Sequence, residues 1–380
     1  MRVLFVAGPT ASNVAGLAPL AAALRATGHD VVVAATAEIL PVVTGVGLHT
    51  VEASSVELAT LLADHPATGA ATHEDEVAAA GRRFGQLALA MAKPLYKLVG
   101  TWPPDLVVAG AHAYAGALAA VAAGVPWVRH AITANHIDRS GVHPGASDIL
   151  APELARLGAD RFPAPSLMVD PFPASLRPAE APTEQIAPIR WVPIDHPVTI
   201  EPWMLDASPR RTLLTAGSIS SDYYDVDLIR STAAALDGST SEILVACPPE
   251  AAERLRGVHG ITRAGQLPFK LLAPTLDLIV HHGGGLTALT ALGAGVPQVI
   301  LPLESKNADS AHRMCAAGAG VALPSSDASL ADIGEVCRTL LEDRLARDRC
   351  RALATEMVAM PLPADVAGSL ADRFVDVRSS

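Results

Sequence analysis

The chain has 380 residues, which at roughly 100–200 residues per domain corresponds to two or three domains. Half of the residues are apolar and 18% are charged, so global disorder is excluded and a large core is within reach. The net charge of −11 and the absence of a basic cluster argue against nucleic acid or an anionic membrane as partners.

Residues Val3–Ala7 form an unbroken apolar run, the pattern of a strand buried on both faces. A short run followed at once by Pro9 reads as this first strand and not as a signal peptide. After the Gly8–Asn13 break, Val14, Leu17, Leu20, Ala21 and Leu24 recur at helical spacing, with a regular helix expected to begin close to Pro19 and to stop at Gly28. Asp30–Ala35 reads as the next strand, which completes a βαβ unit and implies a parallel sheet. The pattern continues with a short strand at Leu48–Val51, a helix over Val77–Leu98, a strand at Leu106–Ala109, a helix from Ala113 and a strand at Trp127–His130. Ala53–His73 shows no clean periodicity and reads as a surface loop or a binding lid.

Prolines crowd the stretch from Pro163 to Pro209, where few regular elements are expected. The interdomain linker is placed there. A second βαβ series follows, with strands at Thr212–Thr215, Ile243–Ala246, Leu276–Val280 and Gln298–Leu301. The fold class predicted is therefore α/β, with two facing Rossmann-like domains of parallel sheet and a cleft between them. The expected division is 1–162 for the first domain, 163–209 for the linker, 210–360 for the second domain and 361–380 for a C-terminal tail helix. Cys247, Cys315, Cys337 and Cys350 share no CxxC spacing, which suits a reducing cytoplasm. The longest apolar stretch, Ala111–Val125, is too short to span a membrane.

The strongest chemical signal is Leu276–Leu289, where an apolar strand runs into His281-His282-Gly283-Gly284-Gly285 and a helix opens at once. Glycines admit a ligand close to the backbone, and a helix N-terminus offers free N–H groups with a positive dipole end. The segment reads as an anion site to which a His adds a donor, against the plainer reading of a Gly-rich βα turn. No GxGxxG follows the first strand and no GxxxxGK[ST] occurs, so dinucleotide oxidoreductase and P-loop NTPase lose their support.

At these residues the chain resembles the two-domain (GT-B type) nucleotide-sugar glycosyltransferases of bacterial aromatic polyketide pathways. The resemblance rests on His281-His282-Gly283-Gly284, Leu213–Ser218, Met360-Pro361-Leu362-Pro363 and the linker pieces Ser175–Pro178 and Glu201–Met204. The shared Gly141-Val142-His143-Pro144-Gly145 makes the angucycline enzymes of the urdamycin and landomycin type look nearest. That resemblance implies that His282 contacts the donor diphosphate with Gly284, Gly285 and Thr287, that Gly217 and Ser218 close its other side, and that Gln266 and Leu267 hold the base. His281 is taken as a packed or hydrogen-bonded His.

Two departures from that family's pattern matter. Where many relatives carry a His base in the loop after the first strand, Asn13 stands here, near Thr10 in the sugar and acceptor vicinity, and an amide takes no proton at neutral pH. Where many carry an Asp-Gln pair after the late Pro, Lys306-Asn307 stand, which points to a sugar with fewer hydroxyls. Asp138 is the replacement base expected, with His136 and His143 as rivals and a solvated Asp138–Arg139 pair as the plain alternative. Asp225-Val226-Asp227 matches DxD but sits at a helix start, so no metal and no cofactor are expected. The function implied is inverting transfer of a deoxysugar such as olivose from a dTDP-sugar to a phenolic oxygen of an angucycline-type acceptor. C-glycosylation of the same acceptor, a non-catalytic sugar-nucleotide-binding protein and an epimerase remain as alternatives. The partners are then the donor and the acceptor, without nucleic acid or membrane, and with room for a homodimer.

Overall fold

A computed structural model gives the fold and describes residues 1–64, 73–132, 142–177, 185–195, 198–206, 210–217, 226–236, 238–302, 308–323 and 329–375. In the first domain β1 (Arg2–Val6), α1 (Ala11–Ala26), β2 (Asp30–Thr36), α2 (Leu40–Gly45), β3 (Thr50–Ser54), α3 (Leu58–Asp64), α4 (His73–Thr101), β4 (Leu106–Gly110), α5 (Ala115–Ala123), β5 (Trp127–His130), α6 (Ala146–Arg156), β6 (Leu167–Asp170) and β7 (Ile186–Pro188) follow one another. The seven strands are parallel in the order β3-β2-β1-β4-β5-β6-β7. The second domain holds β8 (Arg211–Thr215), α7 (Val226–Ala235), β9 (Glu242–Ala246), α8 (Pro249–Leu255), β10 (Arg263–Gly265), α9 (Phe269–Leu272), β11 (Leu278–His281), α10 (Gly285–Ala294), β12 (Gln298–Ile300), α11 (Ala308–Ala316) and β13 (Gly320–Ala322), closed by α12 (Leu330–Glu342) and α13 (Arg344–Val358). Its six parallel strands run β10-β9-β8-β11-β12-β13.

Both sheets therefore reverse their strand order beside their first strand, between β1 and β4 and between β8 and β11. Open α/β sheets bind ligands at such switch points, outside the carboxyl ends of the strands. The central strands are buried because helices cover both faces: Val3–Val6 and Leu106–Gly110 are apolar throughout, while Arg211–Thr215 is buried with Arg211, Thr212 and Thr215 among its residues. The two carboxyl edges meet. Leu286 in the first turn of α10 reaches to 3.9 Å of where a Cβ on Gly16 of α1 would stand, and Ile132 beyond β5 fills the same contact.

Several sequence-based boundaries move. α1 starts at Ala11, not near Pro19, because Thr10 caps it, and Pro19 is carried inside the helix. The third strand lies at Thr50–Ser54, later than Leu48–Val51, and Ala53–His73 is not wholly irregular, since it contains α3. The stretch 163–209 is not a free linker: β6 and β7 complete the first sheet, and Pro188 sits at the end of its edge strand, where a missing N–H costs no ladder bond. Between β6 and β7, and again after β7, the chain anchors on the second domain. Phe172, Leu176 and Trp191 pack with Ala288, Leu289 and Leu292 of α10, and the Trp191 indole N–H donates to Thr290 Oγ1 at 3.0 Å.

The expected tail helix is α14 (Pro363–Val375), and it returns to the first domain. Val366, Ala367, Leu370 and Phe374 join the core formed by Leu17, Leu20 and Val31. The two domains are thus tied by two crossings, one from each side. No described helix is long and apolar enough to cross a membrane.

Candidate active site

The second-domain switch point is built from glycines on purpose. Gly283 takes φ +88° and Gly217 φ +98°, backbone conformations that favour a residue without a Cβ. Gly284 begins α10 in an extended conformation, and no side chain among the described residues caps that helix. The first intrahelical bond is Ala288 N–H to Gly284 O, so the amides of Gly285, Leu286 and Thr287 have no carbonyl of the helix to bond. The first turn carries no acidic residue. These N–H groups and the helix dipole form an anion-binding end.

His282 lies against this end, half-buried between two backbones. A Cβ on Gly217 would stand 2.6 Å from its Cε1, and one on Gly284 would stand 2.5 Å from its Nε2. Both glycines are therefore required by the ring's position. The turn after β8 is tied by the Gly217 N–H donating to Thr215 Oγ1 at 3.1 Å. The structure thus brings together His282, Gly217, Gly284, Gly285 and Thr287, which the sequence reading grouped. Ser218 lies outside the described residues. Gln266 and Leu267 follow β10 at the same edge of the sheet, Gln266 exposed and Leu267 half-buried.

His281 is buried, and its role is structural. Its Nδ1 accepts the Gly283 N–H at 3.1 Å, and its Nε2 faces Gln298 Oε1 at 2.9 Å. Burial, with His282 adjacent, pushes its pKa down to about 3, so the ring is neutral at any working pH.

In the first domain, the turn after β1 is closed by its own side chains. The Thr10 hydroxyl accepts the Asn13 N–H and donates to Asn13 Oδ1 at 2.8 Å, which also accepts the Thr10 N–H at 3.2 Å. This is a capping box. Asn13 is buried, and a Cβ on Gly8 would stand 2.4 Å from its Oδ1. Asn13 therefore lies in the first turn of α1, beside the switch point and not in the loop where the sequence placed it, and its carbonyl is occupied in starting that helix.

The base expected at Asp138 lies outside the described residues, as do its rival His136, Asp225 and Lys306-Asn307. The other rival, His143, is described and belongs to a group that sequence reasoning missed. Its backbone N–H donates to the Tyr114 hydroxyl at 3.1 Å, and its Nδ1 meets the same hydroxyl at 2.5 Å. His112 stacks on Phe84, at 4.7 Å and 11°, and lies tilted against His143, at 4.9 Å and 32°. These rings stand above the end of β4, beside β1, and come from three separate parts of the chain; only the tertiary fold assembles them. His130, at the end of β5, is buried with its Nδ1 on Ala131 O, and burial pushes it down to about 4. Asp227 pairs with Arg230 at 2.6 Å, both exposed, as a solvated helix start does. Among the described residues no group of three His, Cys, Asp or Glu could hold a metal ion.

The chain matches the N-terminal domain of the erythromycin biosynthesis protein CIII-like family over residues 22–217 and the C-terminal domain over 229–372. It is 34% identical to the L-demethylnoviosyl transferase of Streptomyces niveus, over 98% of each chain. Among solved structures, the glycosyltransferase SsfS6 of Streptomyces sp. SF2575, complexed with thymidine diphosphate, superposes with a TM-score of 0.86 at 32% identity, covering 98% of this chain and 99% of that one. The spinosyn rhamnosyltransferase SpnG complexed with thymidine diphosphate gives 0.84 at 28% identity, covering 97% and 100%.

Proposed function

The chain belongs to the erythromycin biosynthesis protein CIII-like family of two-domain glycosyltransferases, and from that premise we propose that it moves a deoxysugar from a dTDP-sugar to a phenolic oxygen of an angucycline-type polyketide, with inversion. The observation that carries the donor half is the open start of α10, with His282 wedged between Gly217 and Gly284 at the switch point. In this reading the amides of Gly284, Gly285 and Thr287 take the diphosphate oxygens, and His282 adds a donor as the leaving group gains charge. Such stabilisation acts where charge develops, which is what lowers the barrier. Gly217 and Ser218 close the far side. Gln266 and Leu267 hold the base from β10, two strands from β8 and so roughly 10 Å away at the usual strand spacing. A nucleoside spans that distance. Two relatives solved with thymidine diphosphate support the choice of base.

On the acceptor side Asp138 removes the phenolic proton while the anomeric carbon takes on positive character, and no covalent intermediate forms. Phe84, His112 and His143 offer flat ring surface suited to an aromatic acceptor. The site works without a metal, because the helix end supplies the positive charge; activity is expected to survive EDTA.

Mass spectrometry of products from a panel of dTDP-deoxysugars and phenolic angucyclines tests this reading. The expected product carries one deoxyhexose, released by acid. An acid-stable C-linked product overturns the choice of oxygen, and binding of donor without transfer to any acceptor overturns the catalytic reading.

A further inference from the structure

Gln298 opens β12, between β11 and the edge strand β13 of the second sheet, and it is the one polar side chain of that strand, fully buried. Burying an amide is unfavourable unless its groups are bonded. Here they are bonded to both sides of the Gly-rich turn. Gln298 Oε1 lies 2.9 Å from His281 Nε2, and its amide nitrogen reaches toward Ala288 O of α10 at 3.5 Å. On the other side of the imidazole, Nδ1 accepts the Gly283 N–H. A ring nitrogen that accepts carries no proton, so the proton sits on Nε2 and is donated to Gln298. The carbonyl of Gln298 thus selects the tautomer that Gly283 needs. Gly283 in turn stands at φ +88° between His282 and the start of α10.

We propose that Gln298 is a positioning residue for donor binding: by fixing the tautomer of His281 it holds the Gly283 turn, which aims His282 and the open end of α10 at the diphosphate. This rests on the diphosphate reading given above. Outer partners that set a histidine's tautomer carry measurable weight elsewhere, about 10–100-fold in affinity at metal sites. Among the described residues, the charged or titratable group facing His281 is His282 on its own strand end. β8, β12 and α10 present Thr215, Gln298 and apolar or Thr side chains there. α12 packs on the opposite face of β11, where Cys337 meets Leu278 and Val280 and burial pushes its thiol up to about 12.

Two variants test the role, read by calorimetric titration with thymidine diphosphate alone and by steady-state kinetics. In Gln298→Leu the Nε2–H loses its buried acceptor and only the Gly283 N–H is left to hold the tautomer, so the dissociation constant for thymidine diphosphate should rise roughly tenfold. The KM for the dTDP-sugar should rise with it, while the acceptor KM stays unchanged. In Gln298→Glu a carboxylate faces Nε2 and favours the doubly protonated ring, whose Nδ1–H then opposes the Gly283 N–H. Relative to the unmodified enzyme, its thymidine diphosphate affinity should therefore fall as pH is lowered from about 8 to 6 and recover on return. A folded Gln298→Leu with unchanged affinity, or a Gln298→Glu pH profile that parallels the unmodified enzyme's, overturns the positioning role and leaves the diphosphate reading standing. Failure of the unmodified chain to bind thymidine diphosphate removes both.

Discussion

Each sheet carries a glycine-bearing βα turn at its switch point, and the two are finished in opposite ways. The turn after β1 fills its own helix start: Thr10 and Asn13 satisfy each other's N–H groups across α1. The turn after β11 leaves α10 without a cap and puts glycine where a capping side chain would stand. A glycine at the N-cap costs only a few tenths of a kcal/mol against Ser or Asp, so α10 keeps its amides open at little expense in stability. The difference teaches that topology supplies two equivalent sockets, and that a few side chains decide which one takes an anion. On the proposed reading the donor side is the open socket. The closed one must leave proton removal to a group elsewhere.

That last step is the most vulnerable, so its test carries the largest expected effect. Asp138→Asn should lower transfer by roughly 10³, the scale of losing a general base, while thymidine diphosphate still binds. Full activity in that variant would return the proton to another group, with His143 on its Tyr114 partner as the nearest described candidate. Next comes His282→Ala, expected to reduce kcat by roughly 10²–10³, as loss of one transition-state donor does. Near-normal turnover would mean that the open helix end alone handles the leaving group. A smaller loss is expected for Gly217→Ala. The residue would need a left-handed backbone, costing about 1–2 kcal/mol, and its Cβ would meet the His282 ring at 2.6 Å. The dissociation constant for thymidine diphosphate should rise roughly tenfold, the equivalent of about 1.4 kcal/mol. An unchanged constant would show that the turn after β8 does not bear on the diphosphate.

What was legible in the sequence follows the same physics. β1 and β4 are buried on both faces, so their apolar runs announced them, and β5 falls on Trp127–His130 as read although Arg129 and His130 make half of it polar. The His-His-Gly-Gly-Gly turn was legible because close backbone approach demands glycine. Other elements left no such mark. β7, β10 and β13 are three-residue strands, too short for any period to show, and β6 sits among prolines. The return of α14 to the first core and the contacts of His112 with Phe84 and His143 are tertiary facts that no local pattern encodes. Asn13 is a different case. Matching it to the family's base position drew attention from the local signal, a Thr-x-x-Asn spacing that a capping box explains.

Asn13 also offers the smallest and most discriminating change. Asn13→Ala removes the acceptor that holds the Thr10 N–H and hydroxyl, so α1 loses half of its box and part of a buried contact with Gly8. The loss should be about 1 kcal/mol, which for a domain of this size lowers Tm by about 2–4 °C. Asn13→Asp keeps the accepting Oδ1 and adds a negative charge at the positive end of the helix, so it should restore the melting temperature. Neither variant should alter thymidine diphosphate affinity, because the capped turn belongs to the other domain and has no open amides to offer. A calorimetric scan and a binding titration on the same samples check both halves. If Asn13→Ala weakened thymidine diphosphate binding as much as Gly217→Ala does, the closed turn would be part of the anion site, and the contrast between the two sockets would be lost.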